Sequence, residues 1–333
     1  MACPPSFDPY VLSELDHTLP PVHVSGFLTF HLREPINAIP VLEAAIARLV
    51  ALLPFLGGNV AASTRVAGKE NVLEVQPPSD TFFSQHPMLV VKKHDISISS
   101  EDSSSAVSYD DISNETFLPI GFESTGIDPV WRFQANLMRD GVIVSFSLNH
   151  QALDGIGAMC MHPKLPDTYL GNAIGHAWSS LPVAQVLSTL SHLNSDTRTK
   201  AYMDSQYIGI IADAAKSLQT SVQGISSHSV RDMIAEKNVA DDWAAQPVMA
   251  DIHVSSLRHF NLYAVDFGST LGKLSDFDMP ECRFPGLAWV LPTRGNPRFS
   301  PWEVRLTLQP EDMVRMQKDP LLRWLSVDVR SKL

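Results

Sequence analysis

The amino-acid sequence predicts an α/β protein with a largely mixed sheet. From Gly141 to Asn149, apolar Val142, Val144, Phe146 and Leu148 alternate with Ile143, Ser145, Ser147 and Asn149, which is the period of a strand. Leu42, Ile46, Leu49 and Leu53 recur at the spacing of one helix face. The elements found this way follow one another without regular strand–helix alternation, and no repeat at a solenoid period is present.

In chain order, Leu15 to Leu32 reads as the first strand, with apolar Val22, Val24 and Phe27 to Leu32. The helix through Leu42 and Leu53 tolerates Pro40 near its start, where no intrahelical N–H bond is lost, and ends at Pro54 and Gly57-Gly58. Asn71 to Val75 reads as a short strand. Ser97 to Ser108 is serine-rich and too poor in apolar residues to pack, so it reads as a surface loop. Trp131 to Met138 and Val142 to Asn149 pair around Asp140-Gly141, a hairpin dipeptide. Val183, Leu187 and Leu190 form a helical stripe, and Tyr202 to Leu218 reads as a further helix. His259 to Phe267 and Trp302 to Leu308 read as strands. Pro310-Glu311-Asp312 opens a final helix with an acidic first turn that suits the helix dipole.

Composition narrows the function classes. A formal net charge of -11 over 333 residues argues against nucleic-acid binding, which needs a basic surface. With 44% hydrophobic residues, the chain has no apolar run of bilayer-spanning length, and Met1 to Pro9 lacks the basic and apolar segments of a secretory signal. Cys3, Cys160 and Cys282 are odd in number and widely spaced, and read as reduced intracellular thiols rather than a metal or disulfide set. Ser331-Lys332-Leu333 matches the peroxisomal address, so a peroxisomal import receptor is the expected partner and the cytoplasm the alternative location.

His150-Gln151-Ala152-Leu153-Asp154-Gly155 carries the chemistry. The histidine sits where a buried strand runs out, and Asp154-Gly155 supplies a turn. An imidazole at a strand end with a carboxylate four residues on is a candidate general base with an orienting partner; a hydrogen-bonded structural pair is the other reading of the same residues. His17 and His23 read as structural polar residues, and no metal-ligand spacing is present.

These residues form part of a larger pattern. Leu12-Ser13-Glu14-Leu15-Asp16-His17 precedes the His-x-x-x-Asp-Gly element. Tyr263-Ala264-Val265-Asp266-Phe267-Gly268, Leu291-Pro292-Thr293-Arg294 and Trp302-Glu303-Val304 follow it in order. From about Leu12 to Arg323 the chain resembles the BAHD-type acyltransferases, and within them the fungal trichothecene 3-O-acetyltransferase-like group. The resemblance implies a two-domain, chloramphenicol-acetyltransferase-like fold with mixed sheets. Its N-terminal domain would span 10–160 and carry His150, and its C-terminal domain would span 165–326 and carry Asp266-Phe267-Gly268. It implies a monomer that moves an acyl group, acetyl in the usual case, from acyl-CoA to a hydroxyl of a small secondary metabolite. Acyl-CoA would be a co-substrate, with no permanently bound cofactor.

Carried over residue by residue, His150 would take the proton from the acceptor hydroxyl, without an acyl-enzyme, since both substrates are bound together. Asp154 would fix local geometry, with Gly155 allowing the tight turn. Asp266, Phe267 and Gly268 would form a structural motif remote from the chemistry; Ser269-Thr270 follows where the family usually has Trp-Gly. Arg294 and Lys273 are coenzyme A candidates on position and charge, with a solvated surface cation as the alternative for each. An oxyanion donor is not identified; Thr293 and Thr270 are the residues to consider.

The interval from Asp154 to Asp266 is much shorter than the family's. A junction near Cys160 to Lys164 would remove the second half of the first domain and the crossover, exposing sheet edges and apolar faces. Two further readings therefore stand beside the enzyme. One is a truncated, non-catalytic relative. The other is a condensation-type domain joining carrier-bound acyl groups, although such domains usually have a second histidine where this chain has Asn149.

Overall fold

The alternating residues Gly141 to Asn149 form the strand on which the fold is centred. The computed structural model describes residues 4–98, 114–121, 128–154, 205–246, 250–280, 284–296 and 298–319. Gly155, the Cys160 to Lys164 junction, the Val183 to Leu190 stripe, the three cysteines and Ser331-Lys332-Leu333 lie outside them. The strands in chain order are β1 (Tyr10–Val11), β2 (His23–His31), β3 (Asn59–Ala62), β4 (Leu73–Gln76), β5 (Leu89–Lys93), β6 (Asp128–Pro129), β7 (Trp131–Leu137), β8 (Gly141–Asn149), β9 (His253–Ser256), β10 (Asp276–Asp278), β11 (Leu287–Val290) and β12 (Val304–Leu306).

Among the described residues three sheets form, in a mixed α/β architecture. The largest has the order β10-β2-β8-β7-β5, the second β1-β4-β3-β6 and the third β12-β11-β9. In the largest, β2 pairs antiparallel with β8 along its whole length, from His23 opposite Asn149 to His31 opposite Gly141. β7 lies antiparallel on the other side of β8, and β5 parallel to β7 at the edge. β10 comes from far along the chain and pairs with Thr29, Leu28 and Phe27 of β2.

The hairpin between β7 and β8 forms where Asp140-Gly141 places it, but for a different reason than turn flexibility. Gly141 does not have a positive φ. A Cβ there would collide with the Phe30 carbonyl oxygen of the neighbouring strand, so glycine is required by close approach.

Every residue of β8 is buried. Its apolar face, Val142, Val144, Phe146 and Leu148, packs into the main core with Phe30, Leu42, Leu56, Trp131 and Leu153. Fully burying each such side chain contributes about 1.5–3 kcal/mol. The other face is equally buried: Ile143 packs with Phe27, Phe117, Leu118 and Met138, and the rest is polar. Asn136 Nδ2 donates to the carbonyls of Phe117 at 3.1 Å and Ile143 at 3.2 Å, and to Ser145 Oγ at 3.1 Å. Gln134 Nε2 donates to Asn136 Oδ1 at 2.7 Å. Ser147 Oγ donates to the Ile120 carbonyl at 3.2 Å and lies 2.7 Å from Ser25 Oγ.

Helix α1 (Ala38–Leu52) buries Ala38, Leu42 and Ile46; of the stripe read from the sequence Leu42 and Ile46 are buried, while Leu49 and Leu53 pack partly against the core. The stretch Pro35–Leu52, at a mean hydropathy of 1.5, is long and apolar enough to cross a membrane by length and composition alone, although Glu43 and Arg48 interrupt its apolar run. Ala38 and Leu42 pack in the protein core and Ile39, Val41 and Leu49 partly against it, while Ile36 and Leu52 are exposed.

Two strand expectations need correction. The strand expected over Leu15 to Leu32 begins only at His23, after the short β1: Asp16 Oδ2 accepts hydrogen bonds from Ser13 N at 2.7 Å and Ser13 Oγ at 2.8 Å, closing a local turn in place of an extended segment. His259 to Phe267 is not a strand. Phe260, Leu262, Tyr263 and Phe267 enter the core at irregular spacing around a 3-10 turn at Leu262–Ala264, so no two-residue period is available to a sheet.

The chain divides into two compact units, 1–173 with 240–307, and 174–239 with 308–333. The described part of the second is helical, at Ser205–Gln223, Ser227–Val239 and Pro310–Lys318.

Candidate active site

β8 delivers His150 into a single helical turn. The Asn149 carbonyl accepts the N–H groups of Ala152 and Leu153, both at 3.1 Å. The His150 N–H donates to the Val22 carbonyl at 2.9 Å, which anchors the turn to the chain just ahead of β2. His150 Nδ1 lies 3.3 Å from the Leu153 carbonyl oxygen. A carbonyl only accepts, so Nδ1 carries the proton and Nε2 holds the basic lone pair.

Burial lowers the His150 pKa below the ordinary histidine value, against smaller upward pulls from hydrogen bonding to its own carbonyl and that of Leu153 and from the Asp154 charge. The ring is therefore neutral at physiological pH, the state a general base requires. Asp154 is buried at the end of the turn, and its charge is the smallest of these influences.

The other histidines near the sheet are bound differently. His17 donates from Nδ1 to the Ser13 carbonyl at 2.8 Å and accepts the Leu73 N–H on Nε2 at 2.8 Å, so both ring nitrogens are occupied by backbone. His23, opposite Asn149 in β2, donates from Nε2 to the Pro129 carbonyl at 3.3 Å. Burial lowers its pKa as well.

Asp266, Phe267 and Gly268 form a turn away from this end of β8. Asp266 Oδ1 accepts the Gly268 N–H at 2.9 Å, Phe267 packs edge-on to Phe30 at 5.1 Å, and Gly268 has φ 91°. That left-handed backbone favours glycine. Lys273 bridges back to Asp266 through the backbone.

Arg294 is an exposed cation that is also ion-paired. It donates to Glu303 at 3.1 Å, to the Ser275 carbonyl at 3.1 Å and to Asp276, and its guanidinium lies 4.9 Å from the Tyr263 ring centroid. These contacts commit it to bracing β10. Thr293 is buried, and its Oγ1 accepts the Gly295 N–H at 3.5 Å. Thr270 lines a surface hollow of about 660 Å³ with Leu32, Arg33, Glu34, Asn37, Pro40 and Val41. That hollow adjoins the His31 end of β2, the opposite end of the sheet from His150. It is therefore not the place where the imidazole would act.

Sequence reasoning missed two features. Asn149 Oδ1 accepts the N–H groups of Gln151 at 3.0 Å and Ala152 at 3.2 Å, closing the turn from within. The signal was present, since asparagine bonds backbone two residues on. Arg132 was not marked at all. It is buried among the carbonyls of His86, Trp131 and Gly57, and burial lowers its pKa to about 9.

The family described as trichothecene 3-O-acetyltransferase-like N-terminal domain matches residues 27–165. Communesin N16 acyltransferase cnsK of Penicillium expansum is 23% identical over 457 aligned positions, covering 96% of this chain and 98% of that protein. O-acetyltransferase pyr7 of Aspergillus fumigatus is 34% identical over 216 residues, 62% of this chain and 42% of that protein. Among solved structures, F. sporotrichioides TRI101 complexed with coenzyme A and T-2 aligns at TM-score 0.67 and 16% identity, over 96% of this chain and 99% of that one. Vinorine synthase aligns at TM-score 0.59 and 13% identity, over 94% and 93%. The chain shares their fold.

Proposed function

We propose that this chain, which belongs to the trichothecene 3-O-acetyltransferase-like acyltransferases, transfers an acyl group, acetyl first among the candidates, from acyl-CoA to a hydroxyl of a small secondary metabolite. His150 Nε2 takes the proton of the acceptor hydroxyl as its oxygen attacks the thioester carbonyl. Collapse of the tetrahedral intermediate expels the coenzyme A thiolate, which recovers that proton from His150. Acyl-CoA is a co-substrate and no resident cofactor takes part. The observation that carries this reading is the half-buried imidazole held with Nδ1 toward the Leu153 carbonyl, which leaves Nε2 basic.

The test is His150→Ala. It should lower kcat at least about a hundredfold with acyl-CoA binding nearly unchanged, as expected of a proton acceptor. Near-normal turnover would end the assignment. In the parent, kcat/KM should hold from neutral pH down past about 6.5 before falling, because the base must be neutral and its pKa lies below the ordinary value. An acid limb above that value would contradict the burial argument.

A second reading, a non-catalytic relative, is favoured by one observation. The alignment with cnsK runs over 457 positions, and this chain has 333 residues, so more than a hundred positions of the relative have no counterpart here. We place that gap at Cys160 to Lys164, where the N-terminal family match runs out at residue 165. Sequencing the transcript across the junction tests the placement.

We further propose that the protein works as a monomer and that Ser331-Lys332-Leu333 directs it to peroxisomes. A fluorescent fusion with the native C-terminus should form puncta with a peroxisomal marker and disperse when those three residues are removed. Puncta surviving the removal would exclude the address.

A further inference from the structure

One side chain ties together the turn that presents His150. Asn149 ends β8 at 1% exposure. Its side-chain oxygen accepts from Gln151 and Ala152, and its backbone carbonyl from Ala152 and Leu153. The three amides that follow His150 therefore all end on Asn149. Its own N–H donates to the Val130 carbonyl at 2.9 Å, so the residue is held while it holds the turn. With these amides gathered in, the chain curls back and the Leu153 carbonyl comes over the ring to receive the Nδ1 proton. Gln151 Nε2 reaches the Leu19 carbonyl at 3.2 Å and pins the outer side of the turn.

We propose that Asn149 is a positioning residue for acyl transfer: its side-chain oxygen sets the turn that keeps His150 protonated on Nδ1 and basic on Nε2. The inference rests on His150 being the base. It assigns the orienting role to the residue before the histidine rather than to Asp154, four residues after it. A hydroxyl or methyl at this position cannot reproduce two hydrogen bonds from one planar oxygen, whereas an aspartate can.

The test uses the full chain labelled with 15N in its histidine rings, His150→Gln identifying the signal that belongs to this residue. The parent should show His150 with Nδ1 protonated. Asn149→Ala should shift that signal toward the Nε2-protonated form and lower kcat about tenfold or more, with KM for acyl-CoA changed less than about twofold. Asn149→Asp keeps both acceptor contacts and should retain the Nδ1-protonated form. Its added negative charge should also move the acid limb of the rate profile upward, since a neighbouring carboxylate favours the imidazolium. A folded Asn149→Ala protein with an unchanged His150 tautomer would overturn the proposal. Should Asn149→Ala fail to fold, the aspartate variant decides alone: loss of the Nδ1-protonated form in a folded Asn149→Asp protein overturns it equally. The tautomer is read without turnover, so a slow chain still gives an answer. Full activity in His150→Gln would instead remove the base assignment and leave the turn geometry standing.

Discussion

The five-stranded and three-stranded sheets lie in the same compact unit and differ in how completely they are covered. In the larger sheet both faces of β8 are buried, one apolar and one satisfied by hydrogen bonds from Gln134, Asn136, Ser145 and Ser147. Its edge strand β5 ends in Lys92-Lys93, which discourages strand addition. In the smaller sheet, register puts Val254 and Val304 on the face of Ala288 and Val290. The two central residues are buried, but Val254 is 68% and Val304 53% exposed, and Trp302 beside them is 67% exposed. A sheet that is finished around His150 and bare farther along the chain fits an interval shortened between the two. Such a shortening would leave the turn that carries His150 intact, because its supports, Val22, Val130 and Asn149, all precede the proposed junction.

Four experiments sharpen or break that contrast. The largest effect should come from inserting the interval proposed to be missing. The longer protein should be more soluble, bind less hydrophobic dye and turn over acyl-CoA at least about tenfold faster, since lost substrate positioning alone costs that much. Equal activity and equal Tm would show that the short chain is complete as it stands.

Next in size is Asn136→Ala in the finished sheet. It removes one hydrogen bond each from the carbonyl of Phe117 and the amide of Gln134, which keep Ser145 Oγ and the Thr116 carbonyl as partners, and should cost about 1 kcal/mol or more in urea unfolding. A loss under about 0.5 kcal/mol would mean that this face is wetter than its burial implies.

A smaller effect should follow from pH. His23, His86 and His150 all have pKa values lowered chiefly by burial, so the unfolded chain binds more protons than the folded one below about 6.5. Stability contributed by these neutral rings is present above that pH and should fall between about 6.5 and 5. A Tm that rises over this window would contradict the sign.

The smallest effect is expected at the bare sheet. Val254→Thr and Trp302→Ser should change unfolding free energy by less than about 0.5 kcal/mol, as surface substitutions do, while reducing dye binding and aggregation. A large loss of stability would show that the face is covered in solution.

Much of the local structure is legible in the sequence. The alternation of Val142 to Asn149, the Asp140-Gly141 hairpin, the Leu42–Ile46 stripe and the position of His150 at a strand end are written in residue spacing, because a strand or helix repeats over a few residues. The segment 259–267 was misread because β-branched and aromatic content signals burial without signalling extension.

What only the tertiary structure decided involves partners distant in the chain. Nothing near Asp276-Phe277-Asp278 marks it as the strand beside Phe27 to Thr29, and nothing near Arg294 marks it as a brace between Asp276 and Glu303. Gly141 reads locally as a turn residue, yet it is the approach of the Phe30 carbonyl that requires it. Likewise, the sequence determined that a histidine would stand at the end of β8, but the nitrogen left free to act follows from where the Leu153 carbonyl comes to rest. Residue spacing specifies which face a side chain takes, whereas burial and hydrogen-bond partners depend on which distant segments the fold brings against that face.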